Sequence, residues 1–484
     1  MEVIMAKFNK TNTIKTTNKE GHVAYSMKDK ELLITQVLTS FFNEKQFYGS
    51  NTKDMIAALK RVIKNDPEFV SNLAVFARRE FNMRSASHVL TAYLAHEESG
   101  KPYVRKTVKG IALRGDDVTE LMAFYLNTFG KPIPNSLKKG INDVLVGFDE
   151  YTMAKYKGDS KDVKMRDLLC LCRPKPTSRE QEALWKRCLE GTLEIPETWE
   201  TQISKYGNNA RAWDRLIKDN KLNYMAALRN LRNIIQADPI GLDKVLKKIA
   251  DPEAVKRSRQ LPFRYLSAYK SVSKIGSSKV FDALEDAMDA SIKNLPRLPG
   301  KTVIAVDVSG SMTSSVSKNS DVTCADISTL LGLIANRICD DAIVLAFDDK
   351  LYNLDVSSRA GILYTAVHAH PHGGGTNMAL PFEHLIKKGI KCDRVIVLSD
   401  NMVNSGCTWY TRKTVGQLAN DYRASITKPD VWVHAVDLQG YGTQQFNGKY
   451  TNIIAGWSEK LFEFILLAER GVGSLEKRIA GYRW

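Results

Sequence analysis

The stretch NLPRLPGKT, Asn294 to Thr302, separates two parts of the chain that have different hydrophobic periodicity. Two prolines and a glycine within this run interrupt a helical pattern. Before it, apolar residues recur at spacings of three and four, and after it, short apolar runs alternate with helical segments. The chain has 484 residues, which is more than one hydrophobic core usually serves. We therefore predict two domains, residues 1–299 and residues 300–484.

The first domain is predicted to be entirely helical. From Lys28 to Asn294, segments such as TKDMIAALKRVI and SASHVLTAYLAHE follow one another, with short Gly, Pro or Asn breaks between them. Many antiparallel helices in succession favour an α-solenoid of HEAT-like helix pairs. The sequence has no sharp repeat period, so a plain globular helical domain is the alternative.

The second domain is predicted to be an α/β domain. The apolar runs in TVIAVDVS, DAIVLAFDD, DRVIVLSD and DVWVHAVDL alternate with helical segments. Strands that are apolar on both faces and alternate with helices are typical of a doubly wound, mostly parallel sheet. In such folds the ligand site lies beyond the carboxyl ends of the strands.

Five oxygen-bearing side chains follow the predicted strands of this domain. Asp307, Ser309 and Ser311 come directly after the first strand, Thr376 follows three glycines, and Asp400 ends the DRVIVLSD strand. Mg²⁺ takes about six oxygen ligands from carboxylates, neutral oxygens and waters. We expect these residues to bind a divalent metal ion, and Mg²⁺ is the ion that we expect first. The alternative is that the same side chains only cap turns at the edge of the sheet.

Positive charge is concentrated in the first domain. Residues 1–300 hold 51 Lys and Arg against 36 Asp and Glu, whereas residues 301–484 hold 19 against 18. A basic surface confined to one module attracts polyanions, nucleic acid first and anionic membranes second. The alternative is a set of solvated lysine faces. The longest apolar run near the carboxyl end, LFEFILLA, is too short to span a bilayer, and no secretory signal opens the chain. We therefore expect a cytoplasmic protein without a membrane partner.

Two basic clusters are the leading candidates for phosphate contact. They lie in KDVKMRDLLCLCRPKP and ARREFNMRSASH, and their candidate residues are Lys164, Arg166, Arg173 and Lys175, followed by Arg78, Arg79 and Arg84. No nucleophile beside a histidine and no phosphate-binding loop can be nominated. We therefore expect no catalytic residues and no enzymatic activity.

The second domain resembles a von Willebrand factor A domain with a metal-ion-dependent adhesion site. The resemblance lies in Asp-x-Ser-x-Ser at Asp307, with Thr376 and Asp400 in the family's order. It implies that Ser309, Ser311 and Thr376 coordinate the ion directly, while Asp307 and Asp400 act mainly through bound waters. It also implies one open coordination position, which an acidic partner typically fills.

The helical half resembles the TROVE module of the Ro autoantigen family, in NKEGHVAYSMKDKELL, KMRDLLCLCRPKP, NYMAALRNLRNI and RLPFRYLSAY. The resemblance implies a ring of HEAT-like repeats that is closed by the A domain. It also implies that the protein is a monomer, with RNA as its bound partner. It implies a small noncoding Y RNA on the outer basic face and single-stranded 3′ ends of misfolded RNAs in the central hole. The implied role is RNA quality control, or a scaffold for a 3′ exoribonuclease.

One position departs from the family pattern. Cys170 stands where this family's helix is expected to carry a basic residue, which puts one phosphate contact in doubt, and Lys164 could replace it. The helical setting RDLLCLCR predicts that Cys170 and Cys172 are both buried in packing.

Overall fold

The computed structural model describes residues 14–17, 23–26, 28–39, 52–158, 161–260, 262–315, 322–354, 361–368, 373–401, 413–439, 443–446, 448–456, 460–469 and 473–484. The chain forms two compact units. The first comprises Met1–Lys28 and Thr198–Val472, and the second comprises Asp29–Glu197 and Gly473–Trp484.

The second unit is built from successive helices. In chain order they are α1 (Asp29–Thr39), α2 (Thr52–Asn65), α3 (Pro67–Arg79), α4 (Arg84–His96), α5 (Lys101–Ile111), α6 (Asp117–Phe129), α7 (Asn135–Leu145), α8 (Glu150–Lys155), α9 (Met165–Cys172) and α10 (Arg179–Glu190). Each helix packs against its neighbour or the next helix but one, as in α3 with α4 and α5, and α5 with α7. This stacking agrees with the helical repeats predicted from the sequence.

The start of α3 shows how the sequence sets these helices. Pro67 occupies the first turn, where its missing N–H costs nothing, and the Asp66 carboxylate accepts the Phe69 N–H at 3.1 Å. From Phe69 to Arg78 every side chain of α3 is buried, so this helix lies at the centre of its unit.

The first unit begins with two short antiparallel strands and a second set of helices. The strands are β1 (Ile14–Thr17) and β2 (Val23–Ser26). The helices are α11 (Trp199–Tyr206), α12 (Ala210–Lys218), α13 (Tyr224–Arg229), α14 (Leu231–Ala237), α15 (Leu242–Ala250), α16 (Pro252–Ser258), α17 (Pro262–Val272) and α18 (Ser278–Ile292).

The rest of the first unit is a strand and helix layer. Its strands are β3 (Leu298–Asp307), β4 (Cys339–Phe347), β5 (Leu351–Asn353), β6 (Arg394–Ser399), β7 (Trp432–Asp437), β8 (Thr443–Gln444) and β9 (Thr451–Ala455). Its helices are α19 (Cys324–Ile338), α20 (Ile362–His368), α21 (Leu380–Lys388), α22 (Val415–Ser425) and α23 (Leu461–Glu469), and α24 (Gly473–Ala480) then returns to the second unit.

The main sheet has the order β5-β4-β3-β6-β7-β9. All of its neighbouring pairs run parallel except β4 and β5. The chain leaves β3 first to β4 on one side and later to β6 on the other, so the topology switches direction beside β3. Ligands bind at such a switch point in doubly wound folds. The strand β8 pairs with β2 in a separate three-stranded sheet.

The fold class predicted from the sequence is confirmed: helical repeats are followed by a doubly wound α/β layer. The short strands β1, β2 and β8 were not predicted. The boundary between residues 299 and 300 stays a prediction, because the compact units divide the chain at other positions. The closed ring also stays a prediction. Within the described residues no helix is both long and apolar enough to cross a bilayer.

Candidate metal centre and nucleic-acid interface

The carboxyl ends of β3 and β6 bring the predicted metal ligands to one edge of the sheet. Val306 on β3 is paired in register with Leu398 on β6, so Asp307 lies beside Ser399 and close to Asp400. The two aspartates are at most 2% exposed. The parallel register therefore places two buried carboxylates where the sequence predicted a cation.

Asp307, the last residue of β3, is buried at this edge. Its carboxylate accepts a hydrogen bond from Ser399 Oγ at 2.5 Å and one from the Ser309 N–H at 2.9 Å. Burial raises the pKa of Asp307 to about 7, and the neighbouring charge of Asp400 adds to that effect, although the hydrogen bonds oppose it. Ionised Asp307 thus has a high free energy in the protein alone, and a nearby cation would lower it.

Two further segments meet the β3 loop. Ser309 Oγ and Ser311 Oγ lie 3.2 Å apart, and the Gly310 N–H donates to the Gly374 carbonyl at 3.1 Å. That bond ties the loop of Asp307 to the loop that carries Thr376, which is itself 2% exposed. The structure therefore brings the three predicted segments together.

The donor set is made of hard oxygens. Among the described residues, no group of three or more His, Cys, Asp or Glu side chains is arranged to hold a metal ion, so a cation here depends on hydroxyl ligands. Two serine hydroxyls, a threonine hydroxyl and two carboxylates fit Mg²⁺, which usually keeps several waters and takes one or two carboxylates. The metal ion itself stays a prediction.

Four polar residues of this edge were missed by the sequence analysis. Besides Ser399, they are Asp348 and Asp349 after β4 and Asp437 at the end of β7. The Asn377 N–H donates to the Asp348 carbonyl at 3.1 Å, and Asp349 accepts the Gly375 N–H at 2.8 Å. These bonds fix the loop of Thr376. All four residues stand at or just after a strand end, so the rule that selected Asp307 could have found them.

The leading basic cluster lies on and beside α9, in the second unit. Met165, Leu168 and Cys172 are buried on one side of this helix, whereas Arg166 is exposed on the other. Arg173 is exposed and ends the helix with a φ of 50°, its N–H donating to the Leu169 carbonyl at 3.0 Å.

Two more basic residues flank the same helix. Lys175 is exposed, and Lys164 is partly buried at the amino end, where its N–H donates to Asp167 at 2.8 Å. Arg166, Arg173 and Lys175 can thus reach a phosphate. The prediction that they contact RNA remains a prediction.

Cys170 corrects one expectation from the sequence. It is exposed, whereas Cys172 is 7% exposed and buried as predicted. Cys170 follows Arg166 by four residues, so the two side chains share the solvent face of α9. The thiol therefore occupies a gap in the basic face of α9.

In the second basic cluster, Arg78 and Arg84 form ion pairs within the protein. Arg78 is 6% exposed, and its Nη2 pairs with Asp117 at 3.2 Å. Arg84 Nε donates to the same carboxylate at 2.6 Å. Although burial opposes it, His88 and the two arginines hold the pKa of Asp117 well below its usual range. This buried network argues against direct phosphate contact by Arg78.

Arg79 and Arg84 keep more access to solvent. Arg79 is exposed and donates from Nε to the Gly110 carbonyl at 3.0 Å, and the Arg84 side chain is 30% exposed. Both remain predicted RNA contacts, although the ion pairs of Arg84 with Asp116 and Asp117 already neutralise much of its charge.

Family models match both parts of the chain. The TROVE domain matches residues 16–194 and 184–280, and the Ro60 vWA domain matches residues 301–433. These matches lie on either side of the boundary predicted from the sequence.

Curated relatives are identical to this chain at about a quarter of the aligned residues. Telomerase protein component 1 of Mus musculus is 23% identical over 331 residues, 50% of this chain and 12% of the relative. RNA-binding protein RO60 of Caenorhabditis elegans is 27% identical over 249 residues, 48% of this chain and 38% of the relative. RNA-binding protein RO60 of Deinococcus radiodurans is 27% identical over 222 residues, 42% of this chain and 41% of the relative. The chain thus matches less than half the length of each.

A solved structure has a similar fold over most of the chain. The crystal structure of the Deinococcus radiodurans Ro (RSR) protein aligns with a TM-score of 0.64 at 16% identity, covering 93% of this chain and 99% of that one. At that identity the likeness concerns the fold alone.

Proposed function

The chain belongs to the Ro autoantigen family of TROVE-domain proteins, and on that premise we propose that it is an RNA-binding component of a ribonucleoprotein. The observation that carries the proposal is the solvent face of α9, where Arg166 and Arg173 are exposed above a fully apolar underside. Exposed arginines that no core requires are suited to phosphate, whose contacts release counterions. The two RO60 relatives are named RNA-binding proteins, which supports the same function.

The finer proposal concerns the kind of RNA. We infer a small noncoding Y RNA on the basic face and the single-stranded 3′ ends of misfolded RNAs as ligands. Contacts to the backbone tolerate any sequence, and a free single-stranded end is selected by shape. A role in RNA quality control, or as a scaffold for a 3′ exoribonuclease, follows from such binding. On this proposal the chain is no enzyme and acts in the cytoplasm.

Charge reversal on α9 tests the RNA proposal. The variant Arg166→Glu/Arg173→Glu should bind structured RNA at least tenfold more weakly at about 0.1 M salt, since each lost phosphate contact lowers the salt slope by about 0.7 to 0.9. The matched control is Lys60→Glu/Lys64→Glu on α2, which makes the same charge change at two exposed lysines of the same unit. If both variants lost the same amount of RNA affinity, the effect would come from net charge alone and not from contacts on α9. An unmodified chain that ignores RNA at low salt would end the proposal.

A second candidate function rests on the metal centre. The buried Asp307 beside Ser309 and Ser311 favours a cation-dependent site that captures an acidic group of a protein partner. If so, Asp307→Ala abolishes partner capture from a lysate and leaves RNA binding by the second unit unchanged. Loss of RNA binding alone, with capture intact, would contradict this function.

A further inference from the structure

A second basic surface, which also carries an exposed aromatic ring, lies at the turn between α11 and α12, in the first unit. Tyr206 ends α11 and is 45% exposed. Lys205 Nζ lies 5.2 Å from the centre of its ring, and Arg215 Cζ lies 5.7 Å from the same centre. The two cations also lower the pKa of the Tyr206 phenol, Lys205 more than Arg215.

The helix that follows extends this positive surface. Arg211, Arg215 and Lys218 are exposed, and their spacing of four and three residues puts them on one face of α12. The opposite face carries Trp213 and Leu216, which are at most 1% exposed. The apolar side therefore anchors the helix, while the basic side is left to solvent.

Few carboxylates neutralise this surface. Asp219 lies 3.7 Å from Arg215, and within the described residues no carboxylate forms an ion pair with Lys205, Arg211 or Lys218. Asp214, the one acid within α12, accepts the N–H groups of Ile240 and Gly241, at 3.2 and 2.8 Å. Arg211 and Lys218 are thus available to an external anion, whereas Arg215 shares its charge with Asp219.

The turn that presents Tyr206 is fixed by hydrogen bonds. Asn208 Oδ1 accepts the indole N–H of buried Trp213 at 2.7 Å. Asn209 Nδ2 donates to the Tyr206 carbonyl at 2.7 Å, while its Oδ1 accepts the Ala212 N–H at 3.0 Å and so caps α12. The backbone at the ring is therefore held in place before any ligand arrives, which lowers the entropy lost on binding.

We propose that this surface binds an unpaired nucleotide of single-stranded RNA, with a base stacked on Tyr206 and flanking phosphates on Lys205, Arg211 and Arg215. An exposed ring beside several unneutralised cations combines the two features that single-strand binding uses, a stacking platform and a track for the backbone. The faces of bases inside a duplex are stacked on neighbouring bases, so this surface selects unpaired nucleotides. The inference rests on the proposed RNA-binding function and deepens it, because it adds a contact outside α9.

The experiment compares two strands of equal charge. One is a fluorescein-labelled ten-nucleotide oligouridylate, and the other is the same ribose-phosphate strand without bases. Tyr206→Ala should weaken binding of the oligouridylate by about tenfold, since stacking on one aromatic ring contributes about that much, and should change binding of the abasic strand by less than about twofold. Tyr206→Phe keeps the ring and should retain affinity for both. Arg211→Glu/Arg215→Glu should weaken both strands and flatten their salt dependence by about 0.7 per contact.

The control for exposure is Tyr364→Ala. Tyr364 is 57% exposed in the same unit, and its N–H donates to the Glu285 carboxylate at 2.9 Å, so an acid lies beside it where Tyr206 has two cations. This variant should bind both strands normally. Thermal unfolding of each variant checks that it folds as the parent does.

Each outcome separates the inference from the proposed function. If Tyr206→Ala binds both strands as the parent does, or loses both equally, the stacking site is overturned, while a loss in Arg166→Glu/Arg173→Glu still supports RNA binding through α9. If the unmodified chain binds neither structured RNA nor the oligouridylate, the inference and the proposed function both fall.

Discussion

Asn72 on α3 and the carbonyl of Ala480 on α24 are joined by a hydrogen bond of 2.7 Å, although 408 residues separate them in the chain. Asn72 is 1% exposed, so this bond lies inside the second unit. Tyr482 Oη donates to Glu80 at 2.7 Å, and its ring packs edge to face against Phe76 with centres 5.2 Å apart. The last residues of the chain are therefore an integral part of the helical unit that begins at Asp29.

This relationship predicts that the carboxyl-terminal helix stabilises the amino-terminal repeats. Ile479 on α24 is 0% exposed, and Ile479→Ala should lower the free energy of unfolding by about 2 to 5 kcal/mol, because it leaves a cavity in a packed core. Hydrogen exchange should then speed up in α3. The control Lys477→Ala lies on the exposed face of the same helix and should cost less than about 0.5 kcal/mol. Unchanged exchange in α3 would contradict the docking.

A buried ion network at the start of the sheet predicts a pH dependence of stability. Arg394 donates to Glu469 from Nε at 2.6 Å and from Nη2 at 2.8 Å, and His434 lies 2.9 Å from the same carboxylate. Although burial opposes it, these bonds from His434 and Arg394 lower the pKa of Glu469 to about 2. Burial lowers the pKa of His434, which is therefore neutral and donates from Nε2.

The folded pKa of Glu469 lies below its ordinary value, so ionised Glu469 stabilises the fold above pH 4.5, and this contribution is lost as the pH falls from 4.5 toward 2. Glu469→Gln should cost about 3 kcal/mol in urea unfolding at pH 7, and the difference from the parent should shrink across that window. Glu463→Gln, on the same helix, removes a half-buried surface pair with Lys460 and should cost under about 1 kcal/mol at every pH. A pH-independent cost for Glu469→Gln would contradict the assignment.

The sequence predicted those parts of the site that depend on local pattern. Asp307 and Asp400 were found because each ends a short apolar run, and a parallel sheet gathers the ends of such runs at one edge.

The remaining features depend on contacts between distant segments. In the segment ARREF, Arg78 has the pattern of a surface cation. In the structure it is buried, because it forms an ion pair with Asp117, 39 residues away. No periodicity in α24 indicates that its partner is α3. Cys170 and Cys172 were expected to be buried together, but residues two apart do not share a face of a helix. Cys172 is therefore buried, whereas Cys170 is exposed to solvent.

The candidate metal centre predicts a stabilisation that depends on Mg²⁺. A cation bound only by the folded protein raises its stability by about 2.7 kcal/mol at a hundredfold excess over the dissociation constant. The parent should therefore melt at a higher temperature in about 5 mM Mg²⁺ than in EDTA, and Asp307→Asn should lose that difference. The increment is the readout, because removing a buried carboxylate also changes the stability of the metal-free protein. Asp430→Asn, at an exposed acid of the same unit, should keep the full increment.

The thiols of α9 and α10 predict a selective chemical probe of the basic face of α9. Cys170 is exposed, whereas burial raises the pKa of Cys172 to about 12 and that of Cys188 to about 11, which keeps both protonated and unreactive. A bulky maleimide should therefore modify Cys170 long before the other two, as peptide mass spectrometry would show. Because Cys170 shares its face with Arg166, the attached group should obstruct RNA and weaken its binding at least tenfold, whereas Cys170→Ser treated in the same way should bind as the untreated parent does. Full RNA binding by the modified parent would mean that RNA does not pass over this face of α9.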